Sequence, residues 1–279
     1  MGDGADDLYH REIMSRCDIE FITGKKKTMT NLTELKATVT DSPPRIVIYG
    51  SGGIGKSSFA ADAPDVIFGD IEGGLDGIES AKVPINSWAD MLQFITDLHE
   101  QDHAFKTVAI DSTDWLERLI HKQVASENGK ETIEAIGYGA GYKMALDLWS
   151  QFLQGMDSLR ENKGMTVILI SHEQIKRYND PTMDSYDRFT LKTHDLASAM
   201  IFEWADAVMF ARKKIRIEKE KSGFNQETAK AKSIGDLRVL QTVDHPAYMA
   251  KNRKSLSLPD EVALSWDAFV SSIGQGGAK

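Results

Sequence analysis

Cysteine is nearly absent from this 279-residue chain. Cys17 stands alone, so no intramolecular disulfide can form, which fits a reducing, cytoplasmic setting. No run of about 18 apolar residues occurs, so no transmembrane helix and no membrane partner are expected. The N-terminus lacks the charged-then-apolar layout of a secretory signal. Basic residues are in deficit: 33 Lys and Arg against 42 Asp and Glu give a formal net charge of −9. That balance argues against non-specific coating of nucleic acid while leaving room for a local basic groove. Internal repeats are missing too. What is left, 41% hydrophobic and 27% charged, is the composition of a soluble globular protein with a substantial core.

The most informative stretch that is present runs Gly50-Ser51-Gly52-Gly53-Ile54-Gly55-Lys56-Ser57. It fits the phosphate-loop pattern G-x-x-x-x-G-K-[ST] at every fixed position. Arg45 to Tyr49 before it reads as a short buried strand, and Ser57 to Ala63 after it as the start of a helix. In that context glycines let successive backbone N–H groups turn inward around phosphate oxygens, with the helix start adding partial positive charge. Residues 50–58, Ser58 included, are therefore the expected nucleotide cradle. Lys56 would reach the β- and γ-phosphates, and the Ser57 hydroxyl would help hold magnesium.

From about residue 44 to 212 strand and helix patterns alternate, as in a parallel α/β sheet. Apolar runs at 45–49, 66–69, 106–110, 165–170 and 207–210 read as buried strands, and segments 88–100, 113–127, 141–161 and 195–205 as helices. Residues 213–243 read as a strand pair, Lys214 to Ile217 and Leu237 to Leu240, bracketing a charged loop. Residues 1–28 are polar, carry Lys25-Lys26-Lys27 and read as a flexible arm, with Met29 a second plausible start. A single domain is expected over 29–273, followed by a loose glycine-rich tail at 274–279.

Three strand ends carry the chemistry. Lys106 to Ile110 is an apolar strand ending in Asp111, placed to hold magnesium beside Ser57. Val66 to Gly69 runs into the acidic turn Asp70-Ile71-Glu72-Gly73-Gly74. Hydrolysis of a nucleoside triphosphate needs a group that positions the attacking water, and Glu72 is the candidate. Asp70, nearer the strand, would orient magnesium or cap a turn. Thr166 to Ser171 ends in His172, where an imidazole can sense the γ-phosphate. The following stretch, 174–195, shows no hydrophobic periodicity and reads as a long loop. Its Lys176, Arg177, Tyr178, Arg188 and Lys192, with Tyr186 and Phe189, suit single-stranded nucleic acid: charge tracks the backbone while rings stack on bases. Glu134 to Tyr142 is a second glycine-rich element, either another such loop or the lead-in to a helix. Lys251 and Arg253 are cations of the kind that reach a neighbouring subunit's γ-phosphate.

Order and type of these residues resemble the RecA family of recombinase ATPases. Over roughly 30–272 the chain is similar to compact ATP-binding proteins of bacteriophages, some of them grouped as RecA-like single-strand annealing recombinases. Ala250-Lys251-Asn252-Arg253 followed by Leu258-Pro259 is typical of that group. The resemblance implies a RecA-like phosphate-loop core, with a mostly parallel central sheet flanked by helices and a C-terminal β-hairpin region. It implies an ATPase using ATP and magnesium, with Glu72, Lys56, His172, Lys251 and Arg253 as catalytic residues. It further implies single-stranded DNA as partner, a homo-oligomer (filament or ring), a single-strand-binding protein as a further partner, and the cytoplasm of a bacterial host. His172 stands where the family usually has glutamine, and RecA's C-terminal domain has no counterpart here. Two alternatives share the same core: a ring helicase or its loader, and an ATP-gated DNA-binding module with little hydrolysis.

Overall fold

The computed structural model describes residues 42–182, 184–221 and 227–276. The expected N-terminal arm lies outside them. Among the described residues ten strands form one sheet in the order β10-β8-β7-β1-β5-β4-β2-β3, with β6 added beside β5 and β9 beside β7. The parallel centre is β1 (Arg45–Gly50), β2 (Val66–Asp70), β3 (Ala81–Pro84), β4 (Thr107–Asp111), the first part of β5 (Thr166–Tyr178) and the first part of β7 (Ala207–Lys221). Antiparallel partners are β6 (Tyr186–Leu191), β8 (Glu227–Gln241), β9 (Lys251–Asn252) and β10 (Glu261–Ala263).

The central strands are apolar on both faces because helices cover both. On one side Val47, Val108, Val167 and Val208 meet α2 (Trp88–Glu100), α3 (Thr113–Glu127), α4 (Ala140–Lys163) and α5 (Asp195–Trp204). On the other, Ile46, Ile48, Ile168 and Met209 meet α1 (Lys56–Ala61) and α6 (Trp266–Ser272), with Phe59, Trp266 and Phe269 packed edge-on. Helix α2 shows how the sequence sets such an element. Ser87 caps it by accepting from Asp90 N at 3.1 Å, and Trp88, Met91, Phe94 and Leu98 form its buried stripe. Each such side chain contributes roughly 1.5–3 kcal/mol of burial.

The α/β architecture, the mostly parallel sheet and the C-terminal hairpin are as expected. Two local expectations are corrected. The stretch at 174–195 is not a structureless loop: β5 runs on to Tyr178 and returns as β6, with register pairs from Glu173↔Leu191 to Tyr178↔Tyr186. The strands expected at 207–210 and 214–217 are one strand, β7, which pairs with β8 as far as Lys221↔Glu227. The short strands β3, β9 and β10 and helix α6 had no clear signal. Glu134 to Gly139 forms two short 3-10 turns leading into α4. Of the tail read as loose, Gly274 N donates to Leu256 O at 2.8 Å, and Ser257 Oγ donates to Gly276 O at 2.7 Å; residues 277–279 lie outside the described ones. Among the described residues, no helix is long and apolar enough to cross a membrane.

Candidate nucleotide site

All the expected phosphate-side residues arrive at the carboxyl edge of the parallel strands, where ligands bind in open α/β sheets. Register alone brings them together: Gly50 lies beside His172, and Asp70 beside Asp111. Gly50 closes β1 and opens the loop. A Cβ there would sit 2.3 Å from the Ala211 carbonyl oxygen of β7, so no other residue fits. Gly55, with φ at 111°, turns the loop into α1, a torsion that side-chain-bearing residues rarely adopt. Arg238 of β8 steadies the loop from outside, donating from Nη1 to the Ile54 carbonyl at 3.1 Å.

Lys56 is only 6% exposed. Its ammonium folds back over the loop and donates to the Gly50 and Ser51 carbonyls, each at 2.9 Å. Burial lowers its pKa, an effect opposed by the nearby carboxylates Asp111 and Glu72. A buried ammonium held by two neutral carbonyls is chemically suited to an incoming phosphate. Ser57 Oγ donates to Asp111 Oδ2 at 2.6 Å. Burial pushes the Asp111 carboxyl up, and the Ser57 hydrogen bond pulls it back. Magnesium is commonly held by one or two carboxylates together with waters and substrate phosphates. A hydroxyl beside a carboxylate therefore fits it. Among the described residues no group of three His, Cys, Asp or Glu side chains gathers for a metal.

Asp70 does not point at Ser57 through any hydrogen bond; its Oδ1 accepts from Gly73 N at 2.8 Å and so pins the turn that carries Glu72. Glu72 is exposed at the tip of that turn. Ser112 Oγ lies 3.4 Å from its Oε2, and His172 Nε2 lies 3.9 Å from the same oxygen. The other ring nitrogen of His172, Nδ1, lies 3.1 Å from both oxygens of Asp114. Asp114 also accepts from Ser112 Oγ at 2.8 Å and from the His172 backbone N at 3.2 Å. The hydrogen bond to Asp114 raises the His172 pKa. Burial alone would raise Asp114, yet its contacts with His172 and Ser112 hold it at about 2. The imidazole is thus fixed in orientation between a buried carboxylate and the exposed Glu72.

Asp114 and Arg238 were missed in the sequence. An acid in the first turn of a helix has an ordinary explanation in the helix dipole. Arg238 lies far along the chain from the loop it holds. Both are legible only once the strands are in register.

The residues expected at nucleic acid divide between the two faces of the β5–β6 hairpin. Cross-strand pairs Lys176↔Arg188 and Tyr178↔Tyr186 share one face; Ile175↔Phe189 and Arg177↔Asp187 share the other. The Tyr178 and Tyr186 rings lie 5.4 Å apart, with the Arg188 guanidinium 5.5 Å from Tyr178. Lys176 pairs with Asp195, Arg188 with Asp244, and Arg177 with Asp187 at 3.8 Å. Lys192 is exposed, without an ion pair among the described residues. Lys251 and Arg253 are not at the phosphate loop of their own chain. Lys251 Nζ donates to the Phe202 and Glu203 carbonyls at the end of α5, and Arg253 Nη1 to Asp206 Oδ1 at 3.0 Å, near the amino end of β7.

Among solved structures the chain is similar to the RadB recombinase, with 15% identity over 71% of this chain and 80% of that one and a TM-score of 0.42. No curated protein matches it. A family profile described as an AAA domain matches residues 42–254, which contain the phosphate loop, Glu72, Asp111, His172 and both cations of the 251–253 segment. The chain belongs to the AAA domain family.

Proposed function

We propose that this protein binds single-stranded DNA under the control of ATP and promotes its annealing or recombination, hydrolysing ATP at sites completed between subunits. One observation supports this most directly. The group that would meet the γ-phosphate, His172, lies in the same strand that rises past the sheet as the Tyr178-bearing hairpin. Nucleotide site and DNA platform are then parts of one strand.

In this reading the loop N–H groups and Lys56 hold the β- and γ-phosphates. Ser57 and Asp111 would hold magnesium, which would supply neutralising charge at the phosphate oxygens. Glu72 orients the attacking water and takes its proton. His172, backed by Asp114, keeps Glu72 oriented and presents Nε2 toward the open side of the site. Loss of a water-positioning group costs on the order of 10²–10⁴ in rate. Glu72→Gln should therefore retain ATP binding and lose hydrolysis by that factor. The decisive measurement is ATP turnover by the purified protein with and without oligo-dT. Stimulation supports the proposal; ATP-dependent DNA binding with unmeasurable turnover in both arms would favour the gated-module reading. Absence of DNA binding with ATP present would sink both.

A further inference from the structure

Helix α3 starts two residues after Asp111, so it moves with the magnesium-side strand end. Its first turns carry two buried acids, Asp114 and Glu117. Three residues apart, they are neighbours on one helical face. Asp114 grips His172, as described above. Glu117 accepts the His194 backbone N–H with both oxygens, Oε1 at 2.9 Å and Oε2 at 3.0 Å.

Those two partners are the feet of the β5–β6 hairpin. His172 is the last residue of β5 paired with β1, and Glu173 is the first paired with β6. His194 follows Leu191, the last residue of β6, by three positions and caps α5. The feet are also tied to each other: Lys192 N donates to His172 O at 3.0 Å, and Gln174 Nε2 to Thr193 O at 3.0 Å. From α4, Tyr142 stacks flat on the His194 ring at 4.3 Å.

Glu117 is an expensive way to hold a backbone amide. It is 9% exposed and has no ion pair with a cation among the described residues. Burial pushes its carboxyl up to about 7, against the pull of the His194 amide. An apolar side chain with a turn of backbone hydrogen bonds would close the same space at less cost. Structure alone does not call for it. An element that two sites both bias is what coupling requires, and α3 touches the ATP side through Ser112 and both hairpin feet through its acids.

We propose that Asp114 and Glu117 are coupling residues, through which occupancy of the phosphate loop and engagement of the β5–β6 hairpin change each other. This rests on reading 50–57 as the nucleotide loop and the hairpin as the DNA platform.

The test uses the full chain. Amide hydrogen exchange over 173–191 is followed with and without magnesium and a non-hydrolysable ATP analogue, and fluorescent oligo-dT affinity is measured in the same two states. In the wild type, nucleotide should slow hairpin exchange and tighten DNA by a factor within the usual coupling range of about 5–150. Glu117→Ala should bring both factors below about 2, with analogue affinity in the absence of DNA unchanged, because the hydrogen bonds of Glu117 go to the hairpin foot and not to the phosphate loop. Glu117→Gln keeps an acceptor for His194 N and should restore both. If Glu117→Ala does not fold, Glu117→Leu fills the space without an acceptor and should behave as predicted for Ala. Wild-type coupling in either variant overturns the proposal, as does a wild-type hairpin indifferent to nucleotide. If nucleotide protects the hairpin but oligo-dT does not bind, the DNA reading fails while the coupling stands.

Discussion

Gly50 is required by a neighbour's backbone. The Ala211 carbonyl occupies the space of any Cβ, and a carbonyl in a paired strand cannot step aside. Gly50→Ala should cost at least the 1–3 kcal/mol or so of an overpacked core, read as a lower urea midpoint with unchanged slope. The Asp114–His172 pair sets a pH signature. Asp114 titrates at about 2, below its ordinary 3.8, so its stabilisation is present above 3.8 and fades as pH falls through 2. His172 is raised above 6.5, so its share is full below 6.5 and fades as pH climbs through the raised value. The wild type should therefore exceed Asp114→Asn most between about pH 4 and 6.5, by on the order of 2 kcal/mol, with the gap narrowing above that range. Denaturation at pH 5 and pH 9 checks the stability. The His172 ring titration by NMR should move down in the variant; an unmoved midpoint would show that Asp114 does not hold the imidazolium.

At the scale of elements, the hairpin makes its own prediction. If bases stack on the Tyr178 and Tyr186 face, Tyr178→Ala and Tyr186→Ala should each weaken oligo-dT binding by about 1–3 kcal/mol. Arg177→Ala, on the opposite face and already facing Asp187, should change it little. Equal losses from both faces would mean that the strand does not lie across one side. This hairpin is also where sequence reading stopped short. The buried strands announced themselves because helices cover both faces and every position is apolar, as in Ile46-Val47-Ile48. Past His172 the strand leaves that cover. Glu173-Gln174-Ile175-Lys176-Arg177-Tyr178 has few apolar positions to alternate, so a real strand looks like a loop. The long β7–β8 ribbon hid most of its length for the same reason: Arg212-Lys213-Lys214 continue a strand that had read as ending at Phe210. Short β3, β9 and β10 are held by register with longer neighbours. The placement of the glycine loop, Asp111 and Glu72 at one sheet edge was legible because loop chemistry and strand ends fix it locally, whereas the contacts of Asp114, Glu117 and Arg238 run across the fold.

For the whole molecule the question is whether one chain suffices. Lys251 and Arg253 sit at the amino end of β7, and the phosphate loop at the carboxyl end of β1. If a neighbour supplies these cations, two inactive proteins should rescue each other. Lys251→Ala/Arg253→Ala retains Glu72, and Glu72→Gln retains the cations, so a mixture should hydrolyse ATP where neither does alone. No recovery at any ratio would place their role within their own chain.

Asp206 bears on how that would happen. Its carboxylate takes three hydrogen bonds from Arg45, through N, Nε and Nη2, and one from Arg253. If Arg253 swings away, the acid keeps its charge partner and most of its bonds, and the Glu203 carbonyl that Arg253 Nη2 also meets keeps Lys251 Nζ. On the reading that a neighbour draws on it, this guanidinium is parked rather than built in: lending it to another molecule would not unbuild the place it came from.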